Sequence, residues 1–272
     1  MCIRDSMNIG NEQPFFLIAG PCQIESEQHA FRMAREIKSI ADHCGIQFFY
    51  KSSFDKANRT SLTGKRGAGL ARGMEIFDKL KAEMPDLKII TDIHTEQQAA
   101  LVAPHVDALQ IPAFLCRQTD LLLAAGETGK YINIKKGQFL APWDMQNVAE
   151  KVASTGNNKL WLCDRGTSFG YNTLVSDMRG LHEMKKTGYP VVIDATHSCQ
   201  QPGGQGTSSG GNREHIPVIA SAAVAVGVAG VFLEVHDDPD NAASDGPNNL
   251  HLHDLESLLV KLKQFDTISK SV

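Results

Sequence analysis

The chain has 272 residues, of which 42% are hydrophobic and 21% are charged, and its formal net charge is −4. This length and composition fit one large α/β domain with a sizeable core. The slightly acidic balance excludes a global basic field for nucleic acid, so any anion site is local. The longest apolar stretch, residues 218–233, is interrupted by glycine and is too short to cross a bilayer, so we expect no membrane segment.

The first six residues, MCIRDS, lack the apolar core of a secretory signal. We interpret residues 1–6 as a non-native leader and expect the natural chain to begin at Met7. The six cysteines form no CxxC pair, which disfavours a zinc ribbon or a thioredoxin-like site. Scattered free cysteines are typical of a reducing compartment, so the pattern predicts a cytoplasmic protein.

Short apolar runs of strand length recur along the chain, and each is rich in β-branched or aromatic residues. They occupy residues 15–20, 48–53, 88–93, 108–113, 131–136, 159–164, 191–196 and 230–235. Helical patterns separate them. The first helical pattern begins after Ser26, a good N-cap, and stops before Gly45. Its apolar stripe comprises Phe31, Ala34, Ile37 and Ile40. Histidines on the helical patterns, among them His29, are expected at the surface.

Eight strands alternating with helices predict a single (β/α)8 TIM barrel, with residues 7–272 as one catalytic domain. A doubly wound open sheet is the alternative, and the lack of a GxGxxG turn after the first strand disfavours it. The glycine-rich segment 201–213 has the composition of a flexible loop. Its position between the seventh strand and a helix predicts a mobile lid over the site.

TIM-barrel enzymes build their sites at the carboxyl ends of the strands. Polar residues fall at that end of every predicted strand: Cys22, Lys51, Ser53, Asp92, Gln110, Asn133, Lys135, Asp164, Arg165, His197, Glu234 and His236. In YINIKK, Asn133 and Lys135 share one face of the strand. Burying Lys135 costs free energy unless an anion neutralises it. The pattern therefore predicts a polar, anion-binding barrel mouth.

Cations gather near this mouth: Lys51, Lys56, Arg59, Lys135 and Arg165. Lysine and arginine suit phosphate and carboxylate groups, and so many of them indicate more than one anion. A substrate pair that carries two phosphates and a carboxylate would balance them. For any single cation the alternative is a salt bridge to Asp55, Asp92 or Asp164.

A second group, which we call the candidate metal set, consists of Cys22, His197, Glu234 and Asp245. These residues follow the first, seventh and eighth strands, which barrel closure brings together. One thiolate, one imidazole and two carboxylates suit Zn²⁺, Fe²⁺ or Mn²⁺. Spacing alone favours a different interpretation, because no two members are close in sequence. In that interpretation Cys22 is a buried thiol, His197 is hydrogen-bonded and Asp245 caps a helix.

Several motifs together resemble those of the 3-deoxy-D-manno-octulosonate 8-phosphate (KDO 8-phosphate) synthases, over residues 15–265. They are IAGPCQIES, KSSFDKANRTS, IITDIH, LQIPAFLCRQTD, INIKKGQF, LCDRGTSFGYNTLVSDM, DATHS and SDGPNNL. The resemblance implies condensation of phosphoenolpyruvate with D-arabinose 5-phosphate and water, giving KDO 8-phosphate and phosphate for lipopolysaccharide synthesis. One branch of the family uses a metal, and the other has Asn where Cys22 stands. The resemblance therefore favours the metal interpretation.

The resemblance also implies roles for individual residues. Phosphoenolpyruvate would be held by Lys51, Ser53, Lys56, Gln110, Ala113, Lys135 and Arg165. Arabinose 5-phosphate would be held by Asn58, Arg59, Ser61 and Asp92, with Arg117 reaching the sugar phosphate of a neighbouring subunit in a homotetramer. The catalytic residues would be Lys56, Asp92, His197 and Asp245.

Other functions remain open at this point. A related synthase uses erythrose 4-phosphate to make 3-deoxy-D-arabino-heptulosonate 7-phosphate on the same barrel. The motifs KANRTS and SDGPNNL argue against it. A metal-dependent aldolase would not need a second phosphate site. A non-catalytic barrel that senses phosphosugars would not need the full cation and ligand sets.

Overall fold

The computed structural model describes residues 7–59, 61–204 and 209–271. The leader expected at residues 1–6 lies outside these ranges, as do residues 205–208 of the predicted lid. The strands are β1 (Phe16–Gly20), β2 (Phe48–Lys51), β3 (Lys88–Asp92), β4 (Ala108–Ile111), β5 (Tyr131–Lys135), β6 (Leu160–Asp164), β7 (Thr167–Ser168), β8 (Leu174–Val175), β9 (Val191–Asp194), β10 (Gln200–Gln201), β11 (Gly210–Gly211), β12 (Gly230–His236) and β13 (Leu250–His251). The α-helices are α1 (Glu27–Cys44), α2 (Leu70–Glu83), α3 (Glu96–Val102), α4 (Thr119–Glu127), α5 (Met145–Ala153), α6 (Met178–Lys185), α7 (Ile216–Ala225) and α8 (Leu252–Lys270).

The eight longer strands form one parallel sheet in the order β1-β2-β3-β4-β5-β6-β9-β12. The sheet closes because β12 pairs back onto β1, with Gly20 opposite Glu234. Helices connect the strands on the outside, as parallel pairing requires. The predicted single TIM barrel is therefore confirmed, and the open doubly wound sheet is excluded.

Short strands organise the loops at the carboxyl end of the barrel. Strands β7 and β8 pair as a two-residue hairpin after β6, and β13 adds in parallel to the end of β12. The ends of the predicted lid pair with each other as β10 and β11. The loops that surround the mouth therefore have backbone pairing of their own.

Helix α1 shows how local sequence sets the element boundaries. Ser26 Oγ accepts the backbone N–H of His29 at 3.1 Å, and Gly45 ends the helix with φ 64° in the left-handed region. Its buried face comprises Ala30, Met33, Ala34, Ile37, Ala41 and Cys44. Phe31 and Ile40 of the predicted stripe are only partly buried. The buried face of α1 is therefore rotated slightly away from the predicted stripe.

Alternation along the strands divides the core into two layers. Outward-facing strand residues such as Leu17, Tyr50 and Leu162 pack between the barrel and the helices. Phe16, Phe49 and Trp161 pack inside the barrel, near the amino ends of the strands. The ring centroids of Phe16 and Phe49 lie 5.1 and 5.4 Å from that of Trp161. Aromatic side chains thus fill one end of the barrel, and polar groups occupy the other. Within the described ranges, no helix combines the length and apolar character needed to cross a bilayer.

Candidate active site

A cavity of about 460 Å³ opens at the carboxyl ends of the strands. Most predicted site residues line it: Lys51, Lys56, Asn58, Arg59, Ser61, Asp92, Gln110, Ala113, Lys135, Arg165, His197 and Asp245. Cys22, Ser53 and Glu234 do not line the cavity themselves. They contact the lining residues Asp245, Asp92 and His197, respectively. Arg117 is exposed and does not line this cavity. One chain therefore brings together the predicted cations and the candidate metal set.

The cations lie at two levels. Lys51, Lys135 and Arg165, which we call the floor cations, are each 5% exposed or less. Arg59 is half-buried and Asn58 is exposed, both on the loop after β2. Because charge is costly to bury without a counter-charge, the floor is suited to an anion that is largely desolvated. The outer loop is suited to a group that stays close to water.

Lys51 and Asp92 form the centre of the floor. The Lys51 ammonium donates to the carbonyl of Cys22 at 3.1 Å and to Ser53 Oγ at 2.9 Å. Ser53 Oγ–H in turn donates to Asp92 Oδ2 at 2.7 Å. Burial raises the pKa of the Asp92 carboxyl, but Lys51 and Lys56 outweigh burial and hold that pKa well below its usual range. Asp92 is therefore a permanent anion at neutral pH.

The two lysines of this group differ in their electrostatics. Burial is the largest influence on Lys51 and lowers its pKa. Burial also opposes the charge on Lys56, but Cys22 first, and then Asp92, Glu234 and Asp245, raise its pKa well above the ordinary value. Lys56 Nζ lies 3.8 Å from Asp92 and 3.9 Å from Glu234. Lys56 is therefore the lysine of the pair that stays protonated. An incoming anion would favour the charged form of Lys51.

Amide side chains continue the floor toward β4 and β5. Gln110 Nε2 donates to Asp92 Oδ1, and Gln110 Oε1 accepts from Asn133 Nδ2 at 2.8 Å. The Oδ1 atom of Asn133 is buried and has no hydrogen-bond partner within residues 7–59, 61–204 and 209–271. These contacts fix the orientation of the Gln110 amide next to the cavity.

Lys135 is held from two sides. Its ammonium donates to Asp194 Oδ2 and lies 3.6 Å from the centre of the Phe232 ring. Neighbouring Lys136 points out of the barrel and donates to the carbonyls of Gly137 and Leu140. Alternation along β5 thus gives adjacent lysines different environments, one in the cavity and one in the outer layer.

Arg165 has unused hydrogen-bonding capacity. Its Nη2 donates to Gln200 Oε1 at 2.7 Å, whereas its buried Nη1 has no hydrogen-bond partner in the part of the chain that the structure describes. Burial lowers the pKa of the guanidinium, although Asp194 and Asp245 oppose this. An orphaned buried N–H carries a desolvation cost, so a ligand acceptor at this position would be stabilised.

Arg59 ties the outer loop to the opposite side of the mouth. Its guanidinium donates to Ser244 Oγ and to Gln23 Oε1, at 2.5 and 2.7 Å, and its Nε donates to the carbonyl of Lys65. Ser61 Oγ lies 2.9 Å from Thr63 Oγ1. The loop after β2 is therefore positioned by contacts to the loops after β1 and β12.

The candidate metal set converges where β12 meets β1. Single ligand atoms from Cys22, Glu234 and Asp245 all lie within 4.8 Å of one another. His197 Nε2 lies 3.6 Å from Glu234 Oε1, which places the imidazole beside the same group. Asp245 adopts φ 52°, a left-handed conformation that is uncommon outside glycine, asparagine and aspartate.

The protonation pattern of this group fits a divalent cation. Both carboxylate oxygens of Glu234 are buried, and neither has a hydrogen-bond partner among the described residues, although Lys51 Nζ lies 3.5 Å from Oε1. Burial first, and Glu234 second, raise the pKa of the Cys22 thiol far above its ordinary value. Cys22 Sγ instead donates to Asp245 Oδ2 at 3.3 Å. A cation would satisfy the orphaned oxygens and favour the thiolate, as thiol ligands require.

A second group of possible ligands, Glu25, His29 and His236, lies nearby. The backbone N–H of Asp238 donates to His236 Nδ1 at 2.9 Å, so the neutral ring carries its proton on Nε2. That Nε2 lies 3.3 Å from Glu25 Oε1. His29 Nε2 lies 2.9 Å from Asp237 Oδ1. Both ring nitrogens of His236 and one of His29 are used in these bonds, whereas His29 Nδ1 is buried without a partner among the described residues. The group therefore fits a hydrogen-bonded anchor better than a metal site.

This arrangement corrects one expectation. His29 was expected at the surface, but its side chain is only 10% exposed because Asp237 and the ring of His236 cover it. The helical pattern of α1 could not reveal a partner that lies more than 200 positions away.

Comparison with known proteins identifies the family of the chain. The sequence profile of the DAHP synthetase I family matches residues 2–271. The chain belongs to the DAHP synthetase I family. Relatives called 2-dehydro-3-deoxyphosphooctonate aldolase include the protein of Bartonella henselae, 63% identical over 96% of this chain and 93% of its own length. Those of Agrobacterium fabrum and Brucella anthropi are 62% and 60% identical, over 96% and 98% of this chain and 92% and 96% of their own lengths. The resemblance found in the motifs is confirmed.

The structure adds residues to this DAHP synthetase I family site that sequence reasoning missed. Asp194 contacts both Lys135 and His197, and Phe232 lies under Lys135. Gln200 binds Arg165 and also donates to Asp245. A signal for Asp194 was present, since it is the last residue of β9 and lies three positions before His197. Nothing in the local sequence distinguishes Phe232 from any other core aromatic.

Proposed function

We propose that this chain is a KDO 8-phosphate synthase, which condenses phosphoenolpyruvate with D-arabinose 5-phosphate and water and releases phosphate. The observation that carries the proposal is that floor cations, an outer polar loop and the candidate metal set all meet at one cavity. Relatives more than 60% identical share a name that denotes the octonate product. That name includes the word aldolase, which denotes cleavage of the same type of carbon–carbon bond that the synthase forms.

Phosphoenolpyruvate would occupy the floor. Its phosphate and carboxylate would bind the floor cations together with Lys56, and would supply acceptors for the orphaned Nη1 of Arg165. The Gln110 amide, fixed by Asn133, and the backbone near Ala113 would bound the other side. Burial supports this assignment, because a polyanion at the floor would offset the cost of desolvating several cations together.

D-Arabinose 5-phosphate would bind above it. Its phosphate would contact Asn58, Arg59 and Ser61, which lie nearer to solvent, and its hydroxyls would contact Asp92. The two substrates then approach each other from the floor and the rim. The cations remove the repulsion between two anionic reactants and hold their reacting carbons in one geometry.

Cys22, His197, Glu234 and Asp245 would hold a divalent ion, Zn²⁺, Fe²⁺ or Mn²⁺. When bound, such an ion supplies a Lewis acid that can polarise the aldehyde or an attacking water. The protein contributes the orientation of the ligands. Asp194 Oδ2 accepts the Nδ1–H of His197 at 2.7 Å, which leaves Nε2, 3.6 Å from Glu234 Oε1, as the ring nitrogen that would face the ion.

The protein groups support each bond change of the reaction. A carbon–carbon bond forms between C3 of phosphoenolpyruvate and the aldehyde carbon, water oxygen adds at C2, and the C2–O bond to phosphate breaks. Lys51, Lys56 and Arg165 stabilise the charge on the departing phosphate. Lys56, with its raised pKa, stays protonated throughout. Residues from the ends of β10 and β11 lie beside the cavity and would exclude bulk water.

A homotetramer in the cytoplasm is part of the proposal. A single chain leaves large apolar side chains exposed on the loops after β4, β5 and β6: Phe114, Phe139, Trp143, Phe169 and Tyr171. Exposed aromatics of this kind are typical of an interface between subunits. Arg117 is exposed on the same side of the chain and would reach the sugar phosphate of a neighbour. Sedimentation of wild type and of Phe169→Glu tests this, since the variant should dissociate.

The rival function uses erythrose 4-phosphate, and the family profile itself carries the name DAHP synthetase. Phosphoenolpyruvate consumption should therefore be measured with arabinose 5-phosphate and with erythrose 4-phosphate. Each assay should be run after chelation and after Mn²⁺ or Zn²⁺ is restored. Turnover with the five-carbon sugar alone, lost on chelation and regained with metal, supports the proposal. Preference for the four-carbon sugar would refute the assignment of substrate, and full turnover without metal would refute the metal site.

A further inference from the structure

Asp194 occupies a position between the two halves of the site. It is the last residue of β9 and is 0% exposed. Burial raises the pKa of its carboxyl, but His197 and Lys135 outweigh burial and hold that pKa well below the ordinary value. Asp194 Oδ1 accepts the hydroxyl of Thr196 and the backbone N–H of His197, both at 2.9 Å. These two bonds fix the plane of the carboxylate and leave Oδ2 for other donors.

The Oδ2 atom of Asp194 accepts from both halves of the site at once. His197 Nδ1 donates to it at 2.7 Å, and the Lys135 ammonium donates to the same atom. On its other nitrogen His197 faces Glu234 of the candidate metal set, at 3.6 Å. Lys135 lines the cavity as a floor cation. One carboxylate oxygen therefore shares its charge between a candidate metal ligand and a candidate substrate cation.

Lys135 has a second source of stabilisation, which makes its bond to Asp194 exchangeable. Its ammonium lies 3.6 Å from the centre of the Phe232 ring, whose face attracts a cation. An anion in the cavity can thus draw Lys135 away from Oδ2 without leaving a bare buried charge. His197 has no comparable second acceptor at Nδ1 among the described residues.

We propose that Asp194 is a positioning residue that couples divalent-metal binding at His197 to anion binding at Lys135. A cation on Nε2 makes the Nδ1–H of His197 more acidic, which strengthens its bond to Oδ2 and weakens the hold of Oδ2 on Lys135. Lys135 is then freer to bind the substrate anion. The reverse follows by linkage, because an anion on Lys135 leaves Oδ2 to His197 and makes Nε2 a better ligand. This inference rests on the proposed function.

Direct attraction between a metal ion and a substrate anion would also couple the two, so the test must isolate Asp194. We suggest measuring Mn²⁺ affinity without substrate, by competition with a chromogenic chelator, in wild type, Lys135→Met, Asp194→Asn and the double variant. Asp194→Asn should weaken Mn²⁺ binding about 10- to 100-fold. Lys135→Met should tighten it about fivefold or more, because His197 then has Oδ2 to itself.

The double variant decides between the two explanations. If the effect of Lys135→Met passes through Asp194, it should shrink to less than about twofold when Asp194 is already Asn. If Lys135→Met changed Mn²⁺ affinity equally in both backgrounds, the change would come from the loss of a positive charge near the ion and not from Asp194. That result would overturn the proposal. Lys51→Met is the matched control, since Lys51 is a buried cation that bonds to Cys22 and Ser53 and not to Asp194. Its effect should be the same in both backgrounds.

A second measurement needs no change at Asp194 and so does not depend on the folding of that variant. Calorimetry of phosphoenolpyruvate should show binding about fivefold or more tighter with Mn²⁺ than without it in wild type. In Lys135→Met the difference should fall below about twofold. A Lys135→Met protein that keeps the full difference would overturn the coupling alone. A wild-type protein that binds no phosphoenolpyruvate would overturn the proposed function as well.

Discussion

Cys22 Sγ and Asp245 Oδ2 lie 3.3 Å apart although 223 positions separate them in the chain. Closure of the barrel between β12 and β1 produces this proximity. The thiol, with its pKa raised chiefly by burial, donates to a carboxylate, and one carboxylate oxygen of Glu234 lies within 4.8 Å of both ligand atoms. This geometry supports a metal group whose members have no local sequence signature.

Cys22→Asn should weaken metal binding about tenfold or more, because an amide oxygen is a poorer ligand than a thiolate for a borderline metal. Some activity should survive, since the other, metal-free branch of the family that the sequence resembles has Asn at this place. Metal content after dialysis against dilute Zn²⁺ measures the effect. Cys44→Ala is the control, because Cys44 is a buried cysteine at the end of α1, away from the site. Undiminished metal content in Cys22→Asn would contradict the ligand assignment.

The stability of the metal-free protein should depend on pH through Asp245. Burial raises the pKa of this carboxyl, but His197 and Lys56 outweigh it and lower the pKa from 3.8 to about 2. A depressed pKa in the folded state contributes stability above the unfolded value, and that contribution is lost as the pH falls through the folded value. Between pH 4 and 2, Asp245 should therefore account for about 2 kcal/mol of lost stability.

Urea unfolding with chelator present, at several pH values between 6 and 2, measures this contribution. Asp245→Asn should lose less stability across the acid range than wild type does. Asparagine tolerates the left-handed conformation at φ 52°, so the comparison is not dominated by backbone strain. Asp240→Asn, an exposed carboxylate on the same loop, should follow the wild-type curve. Identical acid curves for wild type and Asp245→Asn would refute the assignment.

Much of this architecture follows from sequence because burial and alternation are local signals. The eight apolar runs correspond to the eight barrel strands, and Ser26 and Gly45 bound α1 as predicted. The two-residue strands such as β7 and β10 were not predicted, since their pairing depends on where neighbouring loops lie. The predicted run at residues 48–53 also extends past β2, which ends at Lys51, although Ser53 still bridges to Gln23.

The site could be predicted residue by residue only where a polar group interrupts an apolar strand. Lys135 stands out for that reason. Asp194 was missed because it follows an apolar run as many helix-capping aspartates do, and its role depends on partners from β5 and from the turn after β9. His29 was misplaced at the surface for the same kind of reason, since Asp237 comes from the other end of the chain.

Glu25 should position the loop that carries Asp245. Glu25 Oε1 accepts the backbone N–H of Ala243 at 2.8 Å and also faces His236 Nε2 at 3.3 Å. Glu25→Ala removes the oxygen that makes both contacts and should destabilise the protein by about 1–3 kcal/mol. Hydrogen exchange of residues 240–246 should accelerate, and metal affinity should fall. Glu36→Ala, an exposed position on α1, is the control. Unchanged exchange in this loop would show that other contacts hold it.

Lys135 and Lys136 should respond oppositely to the same substitution. Lys136 is 1% exposed, and its ammonium donates to Gly137, Leu140 and Thr167 in the outer layer. Lys136→Met leaves these acceptors unsatisfied and should lower the free energy of unfolding by about 3–5 kcal/mol. Phosphoenolpyruvate affinity should change little in the protein that remains folded, because Lys136 does not line the cavity.

Lys135→Met should show the reverse pattern. Removing a cation that lines the cavity should raise KM for phosphoenolpyruvate about tenfold or more, since charge-assisted contacts to phosphate and carboxylate are among the stronger polar interactions. The loss of stability should be smaller than for Lys136→Met, because Asp194 keeps His197 and Thr196 as donors. Urea unfolding and steady-state kinetics on both variants measure the contrast. If Lys136→Met gave the larger change in KM, Lys136 and not Lys135 would be the side chain of β5 that points into the cavity.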